Sequence, residues 1–265
     1  MGKAGRYLRL LGVQLRLSLI LALQYRADFL IEGVISLFFT MTALVPLFVV
    51  FGERPAIAGW SFGEALVVTG FFTLMGGIME GAINPSLGIV VEHIRKGTLD
   101  LVLVKPADAQ FLMSTQRFLP WRMVAVPASL VIFGFAFGEL GRAPSLGEIG
   151  ASLVLLAAGV LILYSLWILV ISAAFYVVRV DNLTVLLSSI FDAARWPASV
   201  FRGVLAVVFT FVIPLALMTT YPAEALLGRL DGGRLVLALG GAVVFAFIAR
   251  LVWLQALRRY TSAGG

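Results

Sequence analysis

Side chains able to make or break covalent bonds are scarce in these 265 residues. There is no cysteine, which excludes disulfides, thiolate metal sites and a cysteine nucleophile. There is one histidine, His93, which excludes a multi-histidine metal centre. No G-x-x-x-x-G-K-[ST] phosphate loop occurs, nor G-x-S-x-G, nor H-E-x-x-H. The residues therefore assign no catalytic group and no metal ligands. What remains is ionic. Asp192 and Arg195 stand three apart in a weakly apolar stretch and can pair on one helix face. Such groups at membrane depth are costly, and here both a structural pair and a pathway site stay open. Glu80 and Arg250 also interrupt apolar runs, and Asp28 and Glu32 open another at i, i+4. For Asp28, Glu32 and Arg250 the expectation is snorkelling or placement at the cytoplasmic membrane edge. Gly77 and Gly81 form a small-xxx-small pair suited to close helix packing.

The most distinctive polar stretch is 88–108. Residues 90–96 read as a short helix, with Gly97 in the position that favours a left-handed cap. Thr98 is placed to N-cap a second turn, and Pro106 ends the segment. Glu92, Arg95, Lys96, Gly97, Thr98 and Asp100 give it a mixed-charge surface suited to a protein contact. Residues 1–27 form the other amphipathic piece. Leu8, Leu11, Leu15 and Leu19 repeat at helical spacing, and Arg6, Arg9 and Arg16 fall on another face. That division suits a helix lying in the membrane interface. Gln24-Tyr25-Arg26-Ala27-Asp28 stands where a signal peptide would need a small-residue cleavage site, so this terminus reads as retained.

The elements that hold these pieces are set by lipid. The chain is 61% hydrophobic and 13% charged, against roughly 45–50% and about 25% in soluble domains. A water-soluble enzyme is excluded. The net charge of +6 fits basic residues gathered on cytoplasmic segments, and nothing beside them reads a nucleic acid. Apolar runs at 33–51, 61–79, 119–138, 149–178 and 235–257 are spans. Between the last two lie 183–200 and 203–220, punctuated by Pro197, Pro214 and Pro222. Basic residues cluster before the first span, between the second and third, and at the C-terminal end, which puts both termini inside and demands an even count. Six satisfies it. The preferred fifth span is 183–199, followed by a broken, re-entrant outer segment at 201–222; the alternative fifth span is 203–220. The expectation is one all-α membrane domain over 1–265.

This layout resembles the permease subunit of type-2 ABC exporters, in particular a bacterial branch of ABC-2 family permeases. The resemblance rests on Tyr25-Arg26-Ala27-Asp28-Phe29, on Arg95-Lys96-Gly97-Thr98-Leu99-Asp100 followed by Leu103-Val104-Lys105-Pro106, and on Ile213-Pro214 with Tyr221-Pro222-Ala223. It implies a two-permease machine in the bacterial inner membrane, with a separately encoded ATPase dimer that holds the ATP and Mg, and no cofactor in this chain. It further implies that the loop after span two is a coupling helix, touching the ATPase through Glu92, Arg95, Lys96, Gly97, Thr98 and Asp100. The interfacial helix, with Arg6, Arg9 and Arg16, would touch it too. The second permease would be identical or homologous. The residues alone leave open a membrane scaffold or an ion-coupled carrier.

Overall fold

The computed structural model describes residues 3–24, 26–176 and 181–260. Apart from one short hairpin, β1 (Ala56–Ile57) against β2 (Trp60–Ser61), the described residues form helices and turns. The chain begins with α1 (Lys3–Gln24) and α2 (Arg26–Glu53). After the hairpin come α3 (Phe62–Ile78) and α4 (Asn84–Lys96), then the short α5 (Asp100–Leu103) and α6 (Ala109–Ser114). Two long helices follow, α7 (Ala125–Leu140) and α8 (Leu146–Ser172). A broken region carries α9 (Asp181–Phe191), α10 (Val204–Val207) and α11 (Tyr221–Leu226), and α12 (Gly232–Leu257) closes the fold. We call the end holding β1 and β2 the hairpin end, and the opposite one, holding α5 and α6, the loop end.

Among the described residues, six helices are long and apolar enough to cross a bilayer: Ala4–Gln24, Leu30–Glu53, Phe62–Lys96, Pro120–Leu140, Leu146–Phe175 and Gly232–Leu257. The protein is an all-α integral membrane protein. The six differ from the sequence expectation in two ways. Helix α1 meets the length requirement, although its mean hydropathy of 1.2 is far below the 2.7 of α8. The stretch 183–199 is not one helix. Helix α9 stops at Phe191 and two 3-10 turns, Asp192–Arg195 and Ala198–Val200, take over. Pro197 accounts for the break, since it forces the residue before it out of helical geometry; Trp196 has φ −98° and ψ 145°.

The second span is also longer than expected. Helices α3 and α4 are joined through a π-helical turn, Met79–Ile83, into one rod, Phe62–Lys96. At about 1.5 Å per residue its 35 residues measure roughly 52 Å, against about 30 Å of hydrocarbon. The separate helix expected at 90–96 is therefore the loop end of this rod. Pro85 falls in the first turn after the π turn, and the helix runs on through it because the Gly81 carbonyl four residues back, which proline cannot bond, finds another donor. That carbonyl accepts from the Leu119 amide at 2.8 Å, tying the rod to the start of the next span.

At the hairpin end, two S-x-x-E capping boxes fix where α3 and α8 begin. Ser61 and Glu64 cap α3; Ser145 and Glu148 cap α8. The same two glutamates also hold neighbouring loops, Glu64 through Arg229 and Glu148 through Arg142. Helix α7 runs against α3 along glycines. An added Cβ at Gly63 would meet Leu140, at Gly70 Phe133, and at Gly77 Ala125 and Val126. Most of the core lies on the other side of the rod, where Met75, Leu87 and Val90 meet Ile162, Leu163, Ile168 and Trp253 of α8 and α12.

The broken region runs along the bundle and then doubles back. Phe175 packs edge-on to Trp253 and Tyr260 near the loop end of α12. Ser199 accepts from Trp60 Nε1 at the hairpin end, 3.1 Å away. From there the chain dips until Leu217 and Met218 touch Gly159, near the middle of α8. It then returns to the hairpin end, where Glu224 pairs with Arg234 and Arg229 with Glu64. Two buried hydroxyls satisfy its frayed backbone: Thr219 donates to the Ala194 carbonyl at 2.8 Å, and Thr220 accepts from the Ala198 amide at 3.1 Å.

Two predictions follow from this packing. Gly70→Ala places a methyl 2.5 Å from Phe133 Cε1, and overpacking of this kind costs about 1–3 kcal/mol, more than the ~1 kcal/mol gained in helix propensity. Gly134→Ala, which meets nothing within 4 Å, keeps only the gain. Thermal unfolding in detergent should give a lowered midpoint for the first and an unchanged or raised one for the second. Thr219→Val, which strands the buried Ala194 carbonyl, should cost about 1–3 kcal/mol by the same measurement.

Candidate functional site

At the loop end the rod finishes at Gly97, whose φ of 65° is left-handed. The Gly97 amide donates to the Ile94 carbonyl and the Thr98 amide to that of His93, closing the last turn. The Thr98 hydroxyl does not cap the next helix, as the sequence suggested. It lies 2.7 Å from His93 Nδ1, and Leu99 takes the N-cap position of α5 without a side-chain bond. His93 is thus a local brace. Glu92 and Lys96 form an exposed pair at 2.6 Å. Arg95 and Asp100 flank the same turn. Beyond it, Leu99 and Val102 are buried in the core while Leu101 and Val104 are 67% and 80% exposed. The protrusion is therefore an apolar tip with charges at its base; sequence patterning gives Leu101 no role and names Val104 only within the 103–106 motif.

Behind the tip lies a polar hub that sequence reasoning did not find. Asp108 caps α6, accepting from the Phe111 amide at 3.1 Å. The same carboxylate receives both arms of Arg250 from α12, at 2.5 and 3.2 Å. Arg250 also donates to Gln110 Oε1 at 2.7 Å, and Gln110 donates to the Tyr164 hydroxyl of α8 at 2.9 Å. Arg250 thus has a partner on the loop segment itself, a two-pronged charge-assisted contact at the loop end of α12. Burial works against ionisation of Asp108, but the hydrogen bond and charge of Arg250, with the Phe111 amide, outweigh it and hold the carboxyl below the usual aspartate range. The pair is thus intact at neutral pH and is lost only as pH falls through that lowered value.

Helix α1 docks on the same segment by a third face, neither leucine nor arginine. The Asp108 amide donates to the Tyr7 hydroxyl, Thr115 to Gln14, and the Phe118 amide to the Ser18 hydroxyl. Tyr7 also meets Phe111 edge-on at 4.8 Å. Arg6, Arg9 and Arg16 remain exposed on the outside of α1, Arg6 lying over the Tyr7 ring at 5.5 Å. Leu8, Leu15 and Leu19 are exposed as well. Of the motif beginning at Tyr25, that residue and the side chains of 26–29, Asp28 included, lie outside the described residues.

On the opposite side of the rod, a cleft of about 610 Å³ opens between α2, α3, the start of α7 and α9. It brings together acids and bases far apart in the sequence. Arg122 meets Glu80 at 2.5 Å and Glu32 at 3.9 Å, while Asn84 donates to Glu80 from the next turn of the rod. Asp192 and Arg195, expected to pair, stand 3.7 Å apart on the cleft wall, the guanidinium 5.3 Å above the Phe72 ring. Gly77, of the small-residue pair, lines the cleft too. Gly81 lies beyond it against Met123 and Leu119. These groups pair charge with charge within the cleft, and none of them is arranged as nucleophile and base. Among the described residues there is no cluster that could hold a metal ion.

The cap at Gly97 is testable by itself. Gly97→Ala should destabilise by about 1 kcal/mol because of its positive φ, and Gly97→Asn by less. Thermal midpoints of the purified variants read the difference.

Comparison with known proteins is consistent with this arrangement. No match was found among curated proteins or among solved structures. The sequence model described as "ABC-2 family transporter protein" matches residues 37–264, nearly the whole chain. With its apolar helices, its loop-end protrusion and a lateral cleft, the chain belongs to the ABC-2 family and is a membrane-embedded permease component of an ABC transporter.

Proposed function

We propose that this chain is the transmembrane subunit of an ATP-driven exporter in a bacterial inner membrane. It works as a pair of permeases, identical or homologous, driven by a separately encoded ATPase dimer that binds the ATP and Mg. The observation that carries the reading is the rod. It is about 20 Å longer than the hydrocarbon it crosses, and it ends in a capped turn bearing Glu92, Lys96 and the exposed Leu101 and Val104. An apolar tip ringed by charge suits a groove on a partner protein, with the aliphatic side chains as anchors and the charges as rim. Arg95, Thr98 and Asp100 belong to the same contact.

In this reading the loop end is cytoplasmic, which agrees with the basic residues gathered there. Helix α1 then lies along the inner interface, its leucines in lipid and Arg6, Arg9 and Arg16 toward headgroups or the ATPase. Residues 181–199 are the fifth crossing, in pieces, and 204–228 re-enter from the outer side and return. The cleft beside α2, with Asp192 and Arg195 on its wall, becomes part of the transport path when a second permease faces it.

Affinity purification of the tagged chain from native membranes in mild detergent tests the core of the proposal. A P-loop ATPase at about one per permease is expected; a clean complex without one overturns it. Leu101→Asp with Val104→Asp should weaken ATPase retention by about thirtyfold or more, the scale of losing a buried anchor worth ~2 kcal/mol. Thermal stability should change little, since both side chains are exposed. Unchanged retention would remove the tip from the contact.

A further inference from the structure

Resting on that reading, we infer that Asp108 and Arg250 are positioning residues that carry the ATPase stroke from the loop into the last span. The rod is the obvious route for such a stroke, yet among the described residues it meets α12 through shared apolar packing, with no ion pair between them. The hub offers a directed route. The segment 108–118 is held from four sides: by Tyr7, Gln14 and Ser18 of α1, by Ser86 of α4, by Tyr164 of α8 and by Arg250 of α12. Three of these attachments use neutral hydroxyls and amides. The fourth is ionic and two-pronged, and Asp108 is at once the N-cap of α6 and the receiver of both guanidinium arms.

That double duty fixes the geometry. A carboxylate that caps a helix cannot turn away without uncapping it, so the position of α6 dictates the position of Arg250. Arg250 in turn lies on the α12 that packs along α8, with Ala242, Ala249 and Trp253 inside the shared core. A displacement of α6 is therefore delivered to α12 as a pull on a charged fork. Gln110 and Ser114 share the Tyr164 hydroxyl, at 2.9 and 2.7 Å, so α8 is gripped at the same point. The stroke then divides into two routes: the rod moves the α3 side, and the clamp moves α8 and α12.

The absence of cysteine makes the test direct, because paired nitroxide labels report only where they are placed. Val49→Cys and Val236→Cys put labels on exposed positions at the hairpin ends of α2 and α12. Their separation is measured by electron–electron double resonance in the permease–ATPase complex in nanodiscs, without nucleotide and after trapping with ATP and vanadate. The labelled but otherwise natural chain should show a nucleotide-dependent shift of several ångströms. Arg250→Met should abolish most of it while ATPase stays bound; Arg250→Lys, which keeps the charge but not the fork, should restore part. Asp108→Asn, which keeps a capping oxygen, is the second variant should Arg250→Met fold poorly, and should also reduce the shift. A full shift in Arg250→Met or Asp108→Asn with ATPase bound overturns the clamp while leaving the transporter reading intact, even if their thermal midpoints drop. Loss of ATPase from the natural chain itself overturns both.

Discussion

In hydrocarbon, a backbone N–H or C=O that leaves a helix must find another partner, because no water is present to supply one. Three irregular stretches among the described residues are organised around that constraint. Where the rod widens at its π turn, the freed Gly81 carbonyl is taken by the Leu119 amide. Where the chain turns from the loop into the next span, the fully buried Ser86 hydroxyl donates to the Arg117 carbonyl and accepts from its amide. Where α9 frays, Thr219 and Thr220 close the gap. Four buried hydroxyls, on Ser18, Ser86, Thr219 and Thr220, thus serve backbone groups where regular hydrogen bonding stops, whereas others, such as Thr69, Ser165 and Ser172, bond back within their own helices.

Outside the hydrocarbon, the loop segment is held by fixed protein partners as well. A loop held only by water would need no fixed shape, whereas 108–118 has backbone amides and a carbonyl committed to α1 and α4 and side chains committed to α8 and α12. Such a segment moves as a block or breaks several bonds together. That is the property a coupling element requires, since a flexible connector would absorb a stroke instead of passing it on. The π turn adds a second rigid joint, where Glu80 reaches Arg122 across the cleft and Asn84 from the same rod holds Glu80 in place.

Much of this was legible in the sequence, and the failures have physical causes. Hydropathy marks spans because lipid selects for average apolarity over some twenty residues, and Gly97 was legible as a terminator because only a left-handed residue closes a helix in that way. The rod was misread because the rise in charge after residue 79 suggests a membrane boundary, but a helix does not end where the membrane does. Nothing before Gly97 stops it. The capping boxes at Ser61 and Ser145 were open to reading from their S-x-x-E spacing. The glycine seam was half seen: Gly77 and Gly81 match a four-residue template, while Gly63, Gly70 and Gly77 follow a heptad, the period at which two antiparallel helices meet. Arg250 and Asp108 were beyond sequence reasoning, being 142 positions apart. Only the fold brings them together.

The two ionic networks flank the rod and are not equally strong, which gives the molecule a direction. On the α12 side, Arg250 holds Asp108 by two bonds, at 2.5 and 3.2 Å, and the oxygen of the longer one also accepts from the Phe111 amide. On the α2 side, Arg122 meets Glu80 closely but Glu32 of α2 only at 3.9 Å, with both side chains more than two-fifths exposed. Exposed pairs at that separation contribute little, since solvent screens them and the side chains lose freedom in forming them. Helix α2 also buries little of itself in this chain, with 6% of its span inside the fold. A displacement entering at the loop therefore meets a stiff attachment toward α12 and a compliant one toward α2. The helices on the stiff side must follow it; the cleft, lying on the compliant side, is where the change in separation accumulates. A conformational change that opens or closes this protein should thus be largest between α2 and the rod, at the wall where Asp192 and Arg195 stand.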